Sequence, residues 1–352
     1  VVLDVALAED VSNIGEFVVT ALGQKTNERA VTFSTQTVDA EKLNVTQDIN
    51  IKTGLAGKVA GVQIAGQAGS KLGDFGSIRI RGAISLTSSL AEPLYVVDGV
   101  PVQDPNSIDM NNVADINVLK GPNATALYGQ RGESGVVLIS TKTADRSGVS
   151  VELTNTLTFD KVAYLPNYQN EYGQGYDGEA EWGTFNYVAG TDPTYFQALD
   201  GVNYIHNSLA DESWGPKIDG RQYAPWYTWF PDSPYYGKTQ EYKAQPDNIK
   251  DFYDTGMSNK AGVAVNVFGS QYSGRVSYSN LTQNGIMPYS NLDKHFLTGN
   301  FDFDVTDDFN VTARVNYTTQ KVHGDVYDDG YGNQTSGSFN SWFGRNLEVD
   351  KM

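Results

Sequence analysis

The sequence predicts a membrane β-barrel, with only its first five or so strands present, preceded by a small α/β domain. Two observations carry the barrel. Apolar and polar residues alternate without exception from Phe309 to Thr318, odd positions apolar and even ones polar, and a similar alternation runs through 297–305. The connections between such segments are short on one side and long on the other, as in outer-membrane barrels with short periplasmic turns and longer extracellular loops. A third observation sets the N-terminal part apart: residues 1–149 are rich in Val, Ile and Gly, and their patterns are mixed.

In that first region, the spacing of Ile49, Ile51, Leu55, Val59 and Val62 predicts a helix over 47–62, before a Gly-rich turn. Ile78-Arg79-Ile80-Arg81-Gly82 alternates apolar and charged residues, as a strand with one solvated face does. The β-rich run 94–102 is broken by Asp98-Gly99, a dipeptide that favours a tight hairpin because Gly accepts the positive φ such turns need. Residues 113–120 read as a strand stopped by Gly121-Pro122, and 124–129 as one or two helical turns ended by Gly. Residues 135–141 read as a buried closing strand.

Five alternating segments follow, at about 150–159, 258–269, 273–282, 295–305 and 309–320. The connections 270–272 and Thr306-Asp307-Asp308 are tight, whereas 160–256 is very long and 283–294 is intermediate. Segments of roughly 9–11 residues suit a tilted crossing of the hydrocarbon. Apolar residues are expected to face lipid, and Thr, Asn, Asp and Arg a wet interior. A soluble sandwich also alternates; the loop asymmetry decides for the barrel. Five strands cannot close one, and an open edge is not tolerated in hydrocarbon. The strands are therefore expected to belong to a chain that continues beyond Met352. Val1-Val2-Leu3-Asp4 reads as a processed or trimmed start.

Composition excludes several function classes. With 25 Lys and Arg against 42 Asp and Glu, the net charge is −17, and nucleic acid is not expected as a partner because phosphate contacts need clustered cations. The absence of Cys excludes thiol catalysis, Cys-ligated zinc and a disulfide scaffold. No stretch approaches 18 consecutive apolar residues, so no transmembrane helix is expected, which leaves barrel strands untouched. Residues 160–256 hold 13 Tyr, 4 Trp and 4 Phe, and with 6 basic against 15 acidic residues they supply −9 of the net charge.

Taken in order, Ser77-Ile78-Arg79-Ile80-Arg81-Gly82, then Pro93-Leu94-Tyr95-Val96-Val97-Asp98-Gly99-Val100-Pro101-Val102, Val118-Leu119-Lys120-Gly121-Pro122, Ala126-Leu127-Tyr128-Gly129 and Gly135-Val136-Val137-Leu138-Ile139-Ser140-Thr141-Lys142 resemble the plug domain of TonB-dependent outer-membrane transporters. Glu16-Phe17-Val18-Val19-Thr20-Ala21-Leu22-Gly23 and Leu55-Ala56-Gly57-Lys58-Val59-Ala60-Gly61-Val62-Gln63-Ile64 narrow the resemblance to the SusC/RagA-like branch of Bacteroidota. Tyr172-Gly173-Gln174-Gly175, Ser213-Trp214-Gly215-Pro216, Asp251-Phe252-Tyr253-Asp254-Thr255-Gly256 and Asn284-Gly285-Ile286 extend it along the chain.

The resemblance implies a plug folded inside a barrel of about 22 antiparallel strands. It implies residues 1–24 as a linker with the TonB-interacting segment, 25–149 as the plug, and 150–352 as the opening barrel strands and their extracellular loops. It further implies the outer membrane of a Gram-negative bacterium and contact with its lipid. The function it implies is import of a nutrient, oligosaccharide or peptide, energised by TonB with ExbB and ExbD. A SusD-like surface lipoprotein acts as lid, with a dimer of transporter–lid pairs as one assembly. The alternatives are a siderophore or vitamin receptor without a lid, and a non-transporting scaffold subunit of an envelope complex. A carboxypeptidase-regulatory-like domain often precedes such a plug, and residues 3–10 resemble its tail.

The residues expected to contact TonB are Glu16, Phe17, Val18, Val19 and Thr20, a β-prone run able to add to a partner's sheet edge, with Phe17 where the family's pattern has Val. The plug's apical loops, 81–92, 101–108 and 128–134, are expected to face substrate through Arg81, Ser85, Thr87, Ser88, Asn106, Tyr128 and Arg131. Trp226 and Trp229 offer flat faces for sugar rings or peptides, the alternative being that these aromatics pack the long loop itself or touch the lid. Arg79, Arg81 and Asp98 are expected to hold the plug against the barrel wall. No cofactor, metal or catalytic residue is expected. His206, His295 and His323 lie far apart, and 325–330 lacks the closing Glu of an EF-hand. The glycines of 129–135 fit neither phosphate-loop spacing.

Overall fold

The computed structural model describes residues 17–19, 25–27, 35–39, 49–65, 72–73, 76–82, 92–120, 122–144, 148–176, 182–205, 212–324 and 342–351. In chain order the first part runs β1 (Phe17–Val19), β2 (Lys25–Asn27), β3 (Thr35–Asp39), α1 (Ile51–Gly54), β4 (Val62–Ala65), β5 (Ser77–Ile80), β6 (Leu94–Val97), β7 (Val100–Val102), β8 (Val113–Leu119), α2 (Pro122–Tyr128) and β9 (Val136–Thr141). β1 pairs with β2 and β4 with β5, while the rest form one sheet in the order β3-β8-β9-β6-β7. Within it β6 and β9 run parallel and the other pairs antiparallel. Ile51, Leu55, Ile78, Met110, Ile116 and Ile139 belong to its apolar core.

The hairpin expected at Asp98-Gly99 is present between β6 and β7, and both residues take positive φ, 47° and 87°. A two-residue turn of this hand matches the twist of its strands, and Gly99 adopts it without a Cβ penalty. The helix expected over 47–62 is shorter than the sequence reads. Asn50 caps α1 by accepting a hydrogen bond from the Lys52 amide at 2.6 Å, but Gly57 and Gly61 at φ 71° and 72° divert the chain after a single turn. The apolar spacing still works, because Ile51, Leu55 and Val59 are buried.

β10 (Gly148–Asp160) opens the second part. The long loop after it carries β11 (Trp182–Thr184), β12 (Asn203–Ile205), β13 (Gln222–Tyr223), β14 (Gln240–Glu241) and α3 (Asn248–Asp251). β15 (Gly256–Phe268), β16 (Tyr272–Asn284), β17 (Asn291–Thr306) and β18 (Phe309–His323) then complete an antiparallel sheet in the order β10-β15-β16-β17-β18. These strands have 13 to 16 residues, about 43 to 53 Å at roughly 3.3 Å per residue, so they run past the hydrocarbon at either end. The connection read as 283–294 shrinks to 285–290, because β16 and β17 continue pairing to Asn284 and Asn291.

The polarity of this sheet is the reverse of a soluble sandwich. Its buried face carries Ser258, Lys260, Asn266, Arg275, Ser279, Lys294 and Asn300, and its other face exposes Val151, Leu153, Val276, Val315 and Tyr317. A polar face turned inward and an apolar face turned outward suits lipid on the outside. On β18 the outward apolar run from Phe309 to Tyr317, both more than half exposed, covers about 26 Å of strand, close to the apolar band of an outer-membrane barrel.

Candidate functional site

The inward polar face meets the first sheet along the segment 104–112 and at the end of β9. Asp109, buried, caps the short turn Met110–Asn112 by accepting from the Asn111 amide at 2.9 Å. The same carboxylate pairs with Lys260 of β15 and accepts from the Ser279 hydroxyl of β16. Lys294 of β17 donates to the Asn106 carbonyl at 2.6 Å, and the Thr318 hydroxyl of β18 to the Ser107 carbonyl at 2.6 Å. Asn300 donates to the Thr141 hydroxyl and the Lys142 carbonyl, both at 2.8 Å. Four adjacent strands thus grip two short stretches of the plug, β15 and β16 through the Asp109 carboxylate and β17 and β18 largely through backbone carbonyls.

Arg275 organises the edge of this seam. Its guanidinium meets both oxygens of Glu152 on β10 at 3.0 and 3.1 Å, Asn266 at 2.8 Å and Asn112 at 3.4 Å. The planar fork fits a carboxylate in this bidentate way, which a lysine ammonium could not reproduce. A cavity of about 150 Å³ opens beside it, lined by Asp109, Asn112, Lys142, Glu152, Arg275 and Ser277 among others. Arg275 Nε and Ser277 Oγ are buried there without a partner among the described residues, and the room and polarity suit bridging water. Desolvation and the charge of Arg275 lower the pKa of Lys142 at the rim. Among the described residues the apolar part of the seam is small: Leu72 packs on Leu281, Leu292 and Phe296, with Ile49 and Val322 alongside.

The residues expected from sequence are dispersed over this frame. Phe17, Val18 and Val19 form β1, paired with Asn27, Thr26 and Lys25, while Glu16 and Thr20 lie outside the described residues. Ser85, Thr87 and Ser88 also lie outside them. Arg79 and Arg81 are exposed on and just after β5, Arg81 with φ 61°. Asp98 accepts from the Thr141 amide at 2.9 Å and hydroxyl at 2.6 Å, so it reaches the barrel wall through Thr141 and Asn300. Asn106 touches the wall through its backbone. Tyr128 is half-buried with its hydroxyl unpartnered among the described residues, and burial raises its pKa. Arg131 is exposed. The sequence reading did not single out Asp109, Lys260, Arg275, Lys294, Asn300 or Thr318; inward position and polarity on the alternating strands were the signal available for the last five.

Trp226 and Trp229 do come together, in the long loop. Trp229 packs edge-to-face against Phe185, Phe196 and Tyr204 at centroid distances of 5.1 to 5.6 Å. A second cluster sets Tyr223 and Tyr242 against Trp182. Burial pushes the Tyr223 hydroxyl up to about 12 and raises Tyr227 and Tyr242 as well. So the aromatics pack the loop, yet they leave a cavity of about 340 Å³ whose walls include Phe196, Tyr204, Trp226, Trp229 and Phe230. Arg81, Tyr128 and Arg131 do not line it.

The segment 342–351 clasps this loop from far along the chain. Buried Arg345 donates to Gln169 O, Asn248 Oδ1, Asn170 Oδ1 and Pro246 O. Asn346 accepts from the Gln174 amide and donates to the Tyr223 hydroxyl, both at 2.7 Å.

Comparison with known proteins agrees with this architecture. The TonB-dependent Receptor Plug Domain family matches residues 27–136. Over 339 residues, 94% of the chain, it is 28% identical to TonB-dependent receptor P26 of Formosa agariphila and covers 29% of that receptor. Over 171 residues, 46% of the chain, it is 35% identical to TonB-dependent receptor SusC of Bacteroides thetaiotaomicron and covers 17% of it. The RagAB peptide importer in its 'closed-closed' state superposes with a TM-score of 0.62 at 20% identity, over 86% of this chain and 32% of that one. The chain therefore spans less than a third of the length of these curated relatives. With its plug sheet and its inside-polar strand sheet, the chain carries a TonB-dependent receptor plug domain at 27–136 and is similar along most of its length to a portion of TonB-dependent receptors of the SusC/RagA kind.

Proposed function

We propose that this chain supplies the plug and the opening barrel strands of a nutrient importer in the outer membrane of a Gram-negative bacterium. TonB, energised by ExbB and ExbD, pulls on the segment from Glu16 to Thr20, and a SusD-like surface lipoprotein closes over the substrate. The observation that carries this reading is the chemistry of the seam. Among the described residues the plug is held chiefly by hydrogen bonds and one ion pair, Lys260 with Asp109, and by a small apolar patch. Hydrogen bonds exchange for water at a net of about 0.5–1.5 kcal/mol each, so a polar seam yields to a pull more readily than a dry core. β1 is a short strand near the N-terminal end, paired only with β2 among the described residues, and such a strand can add to a partner's sheet edge.

Oligosaccharide or peptide is the proposed substrate, met by the apical loops of the plug and by the aromatic loop. Deleting residues 16–20 from the full-length receptor should abolish uptake into cells while binding of the lid lipoprotein persists. Undiminished uptake would refute the mechanism and favour a scaffold role.

A further inference from the structure

The cavity of the long loop has walls chemically narrower than the proposed substrate classes. Its back is rigid: Phe185, Phe196, Tyr204 and Trp229 interlock edge-to-face, and Asn346 ties Tyr223 and the Gln174 amide together behind it. Its mouth is ringed by Tyr195, Trp226 and Phe230, which are 44%, 39% and 56% exposed, an unusual cluster of aromatic faces turned to solvent. Pro225 and Pro231 bracket Trp226 and Phe230 and stiffen the rim. At about 340 Å³ it falls in the range of preformed ligand sites.

Two of the hydrogen-bonding groups around it are committed elsewhere. The Tyr223 hydroxyl accepts from Asn346 and from Gln240, and the Trp229 indole donates to the Ala224 carbonyl. Among the described residues, no Lys, Arg, Asp or Glu lines the cavity. A sugar ring could stack here, but any hydroxyl buried against the Phe, Pro and Ile side chains of the wall would lose its water without a partner there, at about 1–3 kcal/mol for each one left unpaired. A flat or cyclic apolar group loses nothing of that kind and gains edge and face contacts. Proline-rich peptides are recognised on aromatic-lined grooves for this reason.

We infer that this cavity is a binding site for a neutral apolar ring of a peptide, the side chain of a prolyl or aromatic residue. The inference deepens the import reading and depends on it for its use in transport, whereas the binding itself needs neither TonB nor the lid.

The test uses the full-length receptor in detergent, calorimetry, and an N-acetylated, C-amidated hexapeptide alternating proline and tryptophan. Saturable binding is expected, weakened at least tenfold by Trp226→Ala and by Phe230→Ala. Both side chains are exposed enough to be removed without unfolding the loop. A neutral glucose hexasaccharide is expected neither to bind nor to compete. Equal peptide affinity in both variants, no peptide binding, or displacement by the hexasaccharide would overturn the assignment. The receptor lacking 16–20 should bind the peptide normally, so a failure of transport and a failure of this site are read separately.

Discussion

Lys260 and Asp109 form an ion pair between strand and plug with both side chains buried, 7% and 3% exposed. They stand 151 positions apart in sequence, and each is held by its own element: Lys260 by the inward register of β15, Asp109 by capping the turn that leads into β8.

Removing one partner leaves the other buried and charged. Lys260→Met is expected to weaken plug docking by about 3–5 kcal/mol, although Ser279 and Asn111 still donate to the carboxylate. Adding Asp109→Asn to that variant should recover part of the loss. Hydrogen exchange of the 104–120 amides in the full-length receptor reads both effects.

The chain of contacts Asn300 to Thr141 to Asp98 predicts an unequal pair of variants. Thr141→Val strips a donor from Asp98 and an acceptor from Asn300, a loss of about 1–3 kcal/mol. Asn300→Ala spares the Asp98–Thr141 bonds and should cost less. A double-mutant cycle on thermal unfolding in detergent separates the two links.

Arg345 donates to four acceptors from two stretches of the loop. Arg345→Lys keeps the charge but cannot reproduce the fork, so it is expected to loosen the loop nearly as much as Arg345→Met. Limited proteolysis should then cut within 161–255 while the plug stays protected.

Tyr223 stays protonated in the folded loop up to about pH 12, whereas its unperturbed value is 10.0. The folded value lies above the unfolded one, so its contribution is complete below pH 10 and is lost as pH rises from there through 12. Tyr242 and Tyr227 are shifted in the same direction by burial. Tyrosinate absorbance is expected to show a late phase that coincides with the loss of loop structure. A single phase centred near 10 would contradict the packing.

Gly175 and Gly215 cross so closely that a Cβ on Gly215 would lie 2.0 Å from the Gln174 carbonyl oxygen. That atom is backbone and cannot swing away, so Gly215→Ala should distort the clasped end of the loop. Peptide binding in the aromatic cavity, read by calorimetry, should fall with it.

Much of the local structure was legible because its causes are local. Strict alternation puts successive side chains on opposite faces, so the residues of 309–318 alone specify a strand and its two faces. Asp98-Gly99 specifies its turn because few other pairs tolerate positive φ at both positions. The helix over 47–62 was misjudged for a similar reason: apolar spacing reports which side chains are buried, and Gly57 and Gly61, which break the turns, weigh little in that pattern.

By itself the sequence determined the strands, the outward apolar face, the hairpin and the family resemblance, all of which rest on neighbours along the chain. Only the tertiary structure decided which inward groups meet which plug backbone, that Arg79 and Arg81 lie exposed while Lys260, Lys294 and Arg275 are buried in or beside the seam, and that Asn346 closes a pocket with Tyr223 and Gln174. The reason is physical. Most inward positions of such strands are polar, so the pattern carries no record of the partner, and the pairing is fixed by register and packing across more than a hundred residues of chain.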